Sequence, residues 1–232
     1  MNLILGVPAI GIHPASLVFM RVAGVLQGRP LTVTHKDIVI TGVRLCVTHE
    51  SGEQASFSWR GIVQRMGTMT YPQVGAVPFE KELNVLAMKI SQKDVEERFI
   101  RFQSLDFLER KTALGAISLR KLAHLRETEP FDANGFLKCQ EMADVYAHIR
   151  QSFSWKPGGY RLQVVLESPD VFTVVDDEYA FTLSPLEVQN LSDNLRYVEQ
   201  FFANEVLPQQ PDAPAAPVPW KWVYPEMQKV PG

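Results

Sequence analysis

The chain has 232 residues, 46% of them hydrophobic and 21% charged, with a formal net charge of -3. These values exclude a disordered chain, a collagen-like repeat, a disulfide-rich miniprotein and a strongly basic protein. The length is enough to bury a sizeable core without metals or cross-links, so one β-rich domain is expected over residues 1–207.

The N-terminal run MNLILGVPAIGIHPAS is apolar, has no Lys or Arg ahead of its apolar stretch and is interrupted by Pro8 and Pro14. It matches neither a signal peptide nor a membrane span, and no later stretch is long and uncharged enough to cross a bilayer. A cytoplasmic protein is expected. The run Leu17 to Leu26 is apolar on both parities, as a central strand covered on both sides would be. Ile38 and Ile40 then alternate with the opposite parity to Val43, Leu45 and Val47, which predicts a β-bulge at Thr41-Gly42. Across the turn Glu50-Ser51-Gly52-Glu53, the positions Ala55, Phe57 and Trp59 alternate with polar ones, so a hairpin with one buried face is predicted. The stretch from Gly61 to Pro78, rich in glycine and proline, reads as a long loop of the kind that often carries binding. Leu83 to Ile90 and Val95 to Phe102 read as a second hairpin, turning at Ser91 to Asp94.

The pattern then becomes helical. Leu105, Leu108, Thr112, Gly115 and Leu119 trace one stripe over Ser104 to Arg126, and a second helix is predicted from about Asn134 to Gln151. Together they form a two-helix insertion at about 104–152. Strands return after Trp155, with Tyr160, Leu162, Val164 and Leu166 alternating, followed by Val171 to Val175 and by Tyr179, Phe181 and Leu183. A three-stranded meander is predicted. Ser184-Pro185-Leu186-Glu187 is a capping box with proline at the first helical position. It opens a helix whose stripe of Val188, Leu191, Leu195, Val198 and Phe202 is expected to cover the sheet. A Pro/Ala-rich linker at 208–219 leads to an aromatic docking tail at 220–232. Trp220, Trp222 and Tyr224 alternate there, so the segment is expected to dock on its own domain or on a partner.

Chemistry is sparse. Cys46 and Cys139 lie in different elements and form no CxxC pair; packed, reduced thiols are expected, with a disulfide as the alternative. The acids Glu167, Asp170, Asp176, Asp177 and Glu178 fall on turns at opposite ends of the predicted meander, which suits solvated turn residues better than a cation site. None of the five histidines stands at ligand spacing, and surface positions are expected for them. No hydrolase elbow, phosphate loop or dinucleotide fingerprint occurs. No catalytic residue, metal site or cofactor is assigned, and the sequence argues against an enzyme more than for one. Arg110, Lys111, Arg120, Lys121 and Arg126 give the first helix a positive excess, to which Arg98 and Arg101 add. They are candidates for contact with nucleic acid or with an acidic partner.

The fold class expected is mainly β with an α insertion: an antiparallel β-sandwich carrying two inserted helices and a C-terminal helix, with a two-layer α+β arrangement as the alternative. The run Trp155 to Tyr160 with the strand after it is similar to late strands of immunoglobulin-like β-sandwiches, a resemblance of fold style that implies no functional residues. The functional expectation is a non-enzymatic binding or assembly protein acting through protein–protein contacts, as a complex subunit or homo-oligomer. Nucleic-acid binding through helix 104–126 is the alternative, and a hydrolase with an unrecognised acidic site stands third.

Overall fold

The computed structural model describes residues 2–13, 17–27, 37–71, 75–83, 86–90, 96–127, 131–175, 177–206 and 218–230. Apolar alternation organises the first strands. In β1 (Asn2–Leu5) and β2 (Ala9–His13), Leu3, Leu5, Ile10 and Ile12 are buried. Both strands lie along β3 (Leu17–Gln27), pairing Leu5 with Gly24 and Ala9 with Arg21. Three residues on one side therefore face two on the other, a bulge at the point where Pro8 has no amide to give the ladder. Pro8 and Pro14 interrupt the alternation of this segment, so its strands are not evident from the sequence.

β4 (Ile38–Ile40) and β5 (Gly42–His49) meet at the parity slip, and Ile38, Ile40, Val43, Leu45 and Val47 are all buried. The break at Thr41 does more than re-aim one strand. β4 pairs with β8 (Met88–Ile90) in a separate two-stranded sheet, whereas β5 pairs with β6 (Gln54–Tyr71) and β10 (Gly158–Glu167). The second predicted hairpin is thereby corrected. β9 (Glu96–Gln103) pairs with β3 and β6, not with the strand before it. The supposed loop from Gly61 is also strand: β6 continues to Tyr71 and pairs with β7 (Gly75–Leu83). The predicted turn at 91–94 lies outside the described residues.

The predicted meander is corrected too. β10 pairs directly with β12 (Glu178–Leu183), while β11 (Thr173–Val175) leaves to run parallel to β1. Among the described residues eleven strands share one sheet, ordered β11-β1-β3-β9-β6-β5-β10-β12-β13, with β2 on β3, β7 on β6 and β13 formed by Gln228–Lys229. The content is mixed α/β around an antiparallel sheet that is not closed. The sandwich expected from the hairpins is not confirmed, because these strands join in one ladder order instead of two stacked sheets.

The inserted helices are α1 (Leu105–Arg126), the short α2 (Ala133–Leu137) and α3 (Gln140–Gln151). The single second helix predicted is interrupted at Lys138-Cys139. Phe107, Leu114, Leu122, Phe136, Met142, Val145 and Ile149 make a helical core distinct from the one against the sheet.

The C-terminal helix begins where its capping box predicts. Ser184 Oγ accepts from the Glu187 amide at 3.2 Å, and Glu187 Oε2 accepts from the Ser184 amide at 2.7 Å. Ser184→Ala is expected to cost about 1 kcal/mol, seen as a lower urea midpoint at unchanged slope; an unchanged midpoint would show that the box contributes nothing. The helix is not continuous. α4 (Pro185–Asp193) gives way to a 3₁₀ turn at Asn194–Tyr197 and then to α5 (Val198–Val206). Val188 and Leu191 pack on the sheet, whereas Leu195, Val198 and Phe202 pack on the inserted helices. The predicted stripe thus serves two cores, and Asn194 stands where it crosses between them.

Candidate functional site

The tail docks on its own chain. Ile12 and Val223 exchange both backbone hydrogen bonds, Ile12 N–H to Val223 O at 2.8 Å and Val223 N–H to Ile12 O at 3.2 Å. Further on, β13 pairs with Tyr179 and Ala180 of β12. The tail therefore touches β2, which lies on β3, and β12, which β3 does not adjoin in the sheet order. Its buried side chains are Val223, Pro225 and Met227, the opposite parity to the one expected. Trp220 and Trp222 are half-buried around His13, with ring centroids 4.9 and 4.7 Å away, and Trp220 also meets Phe201. Tyr224 is 71% exposed. It lies over Gly11, where a Cβ would come within 2.8 Å of the Tyr224 ring.

Asn194 fastens the tail. It is fully buried, and its side-chain amide pairs with the backbone of Lys221: Nδ2 donates to Lys221 O at 2.8 Å, and Oδ1 accepts from Lys221 N–H at 2.7 Å. A second Nδ2 contact reaches Asn190 O at 3.3 Å. Lys221 Nζ then donates to Asp193 Oδ2 at 2.8 Å and to Asn190 Oδ1 at 3.2 Å. That contact, with one from Gln189, holds the Asp193 carboxyl below its ordinary value. Neither Asn194 nor His13 was singled out from the sequence. The available signal was polarity in an apolar setting: Asn194 falls three residues after Leu191 on the buried side of its helix, and His13 follows the core residue Ile12.

The candidate cations do not form one surface. Arg110 and Arg120 are exposed, Lys111 and Lys121 half-buried, and Lys121 pairs with Glu141 at 4.0 Å. Arg126 sits over the Phe131 ring at 5.8 Å. At about 100° per residue these positions are distributed around α1 instead of lining one face. Arg98 stands opposite Val22 in the ladder, and its side chain lies outside the described residues. Arg101 is close enough to lower the pKa values of both His13 and Lys111, in each case after burial. Arg101 on β9 is thus within electrostatic range of both His13 on β2 and Lys111 on α1.

The acids do structural work. Asp170 Oδ2 accepts from the Val39 amide at 3.1 Å while Ser168 Oγ donates to Val39 O at 2.6 Å, capping the edge of β4. Asp177 accepts from Gln163 Nε2 at 3.4 Å, and Glu167 packs against Gly42. Asp176 is outside the described residues. Among those described, no three His, Cys, Asp or Glu side chains gather as metal ligands, and no helix is long and apolar enough to cross a membrane.

A shallow cleft of about 560 Å³ lies on the polar side of β5, β6 and β10, lined by Cys46, Thr48, Ser56, Arg161 and Gln163, with Asp106 at the start of α1. Among the described residues no histidine lines it. A smaller one of about 300 Å³ holds His49, Phe57, Trp155 and Tyr160. His49 is buried, not on the surface as expected, and both ring nitrogens are engaged: Nδ1 with Ser51 Oγ at 2.8 Å and Nε2 with Pro157 O at 3.2 Å. It is held in place instead of poised as a base. Cys46 and Cys139 are both free thiols and half-buried.

The largest departure from the sequence reading is the β6–β7 arm. β9 accompanies β6 only as far as Val63, but β7 continues along it from Ile62 to Tyr71. The last eight residues, about 26 Å of strand, form a two-stranded ribbon. The register opposes Gly67 with Phe79, Met69 with Val77, and Tyr71 with Gly75, so these positions share one face. Gly67 has φ of +150° at the register shift, a conformation that suits glycine. Comparison of the chain with protein-family models, with curated proteins and with solved structures finds no match in any of the three.

Proposed function

We propose that this chain is a binding or assembly protein that acts through protein–protein contacts. The observation that carries the reading is the β6–β7 arm. A two-stranded ribbon is marginal on its own in water, and three strands or a packed face are needed for independent stability. By register, positions 69, 71, 77 and 79 share one face of the ribbon and are Met, Tyr, Val and Phe by sequence; in this reading a second chain supplies the packing that a two-stranded ribbon needs. Trp220, Trp222 and Tyr224 take second place in this reading, because the tail is engaged within its own chain. Nucleic-acid binding finds less support, since the cations of α1 are spread around the helix and Lys121 has an acidic partner. Two free thiols suit a reducing compartment such as the cytoplasm.

The test is an arm deletion. Gln64 and Lys81 are opposed in the ladder, so joining them through Asn-Gly removes 65–80 and leaves a hairpin turn. The shortened chain is expected to keep its urea midpoint and to lose the assembly formed by the full chain, read as solution mass by light scattering. An assembly of undiminished stoichiometry after the deletion would sink the arm's part in it.

A further inference from the structure

The groove that holds the C-terminal segment recognises an extended strand at alternate positions. The Asn194 amide takes both backbone groups of Lys221, at 2.7 and 2.8 Å, and Ile12 takes both of Val223, at 2.8 and 3.2 Å. Two side-chain matches make the groove specific for this segment. Lys221 Nζ reaches Asp193 and Asn190, and Gly11 leaves room for the Tyr224 ring, which a Cβ there would meet at 2.8 Å. The tail also comes back on the helix that precedes it. Trp220 meets Phe201 with ring centroids 5.9 Å apart, and Val206 ends α5 only about 8 Å further along the helix. The thirteen residues between, 207–219, include Pro208, Pro211, Pro214, Pro217 and Pro219. Proline at every second or third position favours an extended backbone of about 3.1 Å per residue, about 40 Å over that length. Closing the tail on its own chain requires both ends of such a segment to lie near Phe201.

We infer that two copies of this chain exchange tails, residues 220–230 of each lying in the groove of the other about a twofold axis. This goes beyond the assembly reading, because the β6–β7 arm has no part in it. Every groove contact of the closed chain is kept, so the two forms differ chiefly in the path of the joining segment. In the exchanged dimer that segment can run at its preferred length. A tethered tail competes for the groove at an effective concentration in the millimolar range when its linker is short and flexible, and at less when preferred length and span differ. The exchanged form is therefore expected at submillimolar concentration. Once formed it reverts slowly, since leaving the groove breaks the Asn194 and Ile12 contacts together.

The test is disulfide trapping in the full chain. Positions 11 and 224 stand opposite one another beside the Ile12–Val223 bridge, and removing the Tyr224 ring frees the space for a Cβ at Gly11. In a Cys46→Ser/Cys139→Ser background, the chain carrying both Gly11→Cys and Tyr224→Cys is refolded from urea at submillimolar concentration and oxidised. A denaturing, non-reducing gel is expected to show a band of twice the chain mass. Chains carrying one of the two substitutions, refolded together, are expected to link to each other, whereas each refolded alone is not. A bond formed within single chains, with no link between the mixed ones, overturns the inference. The unsubstituted groove gives a second measurement by sedimentation. Replacing Pro208, Pro211, Pro214 and Pro217 by glycine leaves the groove contacts in place and is expected to shift the refolded chain from dimer to monomer; an equal share of dimer in both chains overturns the inference. The cysteine pair placed in the arm-deleted chain separates this result from the arm's. A covalent dimer there supports the exchange whatever the arm does, while an intrachain bond beside a persisting assembly of the full chain overturns the exchange and leaves the assembly reading standing.

Discussion

Replacing Asn194 by alanine is expected to release the C-terminal segment at a cost of about 2 kcal/mol. The side chain is fully buried and pairs with both backbone groups of Lys221. Each net hydrogen bond contributes about 1 kcal/mol, and a buried backbone group left without a partner costs about 1–3 kcal/mol. The tail avoids the second cost by leaving. Once it does, Val223 no longer bridges Ile12, and Lys221 becomes a site for trypsin. Limited proteolysis and hydrogen exchange at the Ile12 and Val223 amides are the measurements. Asn194→Asp tests the same idea at nearly constant volume, because it replaces the donor to Lys221 O by an acceptor. Both variants are expected to be cut faster at Lys221 than the parent chain. Unaltered cutting of both would show that Val223 and Met227 hold the tail without the amide.

Acid is expected to loosen the same region through His13. Only 6% of His13 is exposed, and its pKa is lowered from 6.5 to about 4, first by burial and then by Arg101. Between those values the unfolded chain binds a proton that the folded chain excludes. The stabilisation is therefore complete above about pH 6.5 and is lost as the pH falls toward about 4, a change of about 3 kcal/mol over the full window. His13 lies against Trp220 and Trp222, so tryptophan emission reports on the event. Urea midpoints at pH 7 and pH 4.5 are to be compared for the parent and for His13→Phe, which keeps an aromatic ring and removes the titration. The parent is expected to lose more stability than the variant; an equal loss in both would falsify the assignment.

Features set by neighbouring residues were legible before any tertiary structure. Ser184 and Glu187 form the predicted cap because both partners lie within one helical turn. The Val43–Trp59 hairpin was legible because its turn and its alternation are contiguous. The parity slip at Thr41 pointed to a real discontinuity. What it could not convey was that β4 and β5 enter different sheets. The arm was missed for a definable reason. Gly67 sits at a register shift, and Pro78 sits on β7, which among the described residues pairs with β6 alone, the kind of edge strand in which proline is tolerated. Residues that ordinarily announce a loop are compatible with that ribbon.

The site residues divide in the same way. Arg110, Lys111, Arg120, Lys121 and Arg126 were visible as charges, but their directions depend on which side of α1 is buried, and α3 decides that by packing there. The aromatic alternation of the tail was visible, and its parity misled. Val223, Pro225 and Met227 face the core, while Trp220 and Trp222 find His13 instead.

By itself the sequence determined the C-terminal cap box, the hairpin turn, the inserted helices and the aromatic composition of the tail, because each is decided by residues a few positions apart; the proline-rich linker expected before the tail lies outside the described residues up to 217. Only the tertiary structure decided that β11 leaves its neighbours for β1, that Asn194 divides one apolar stripe between two cores, and that the tail closes on its own chain. Periodicity specifies which face of an element is buried, whereas the identity of what buries it depends on pairings across the whole chain.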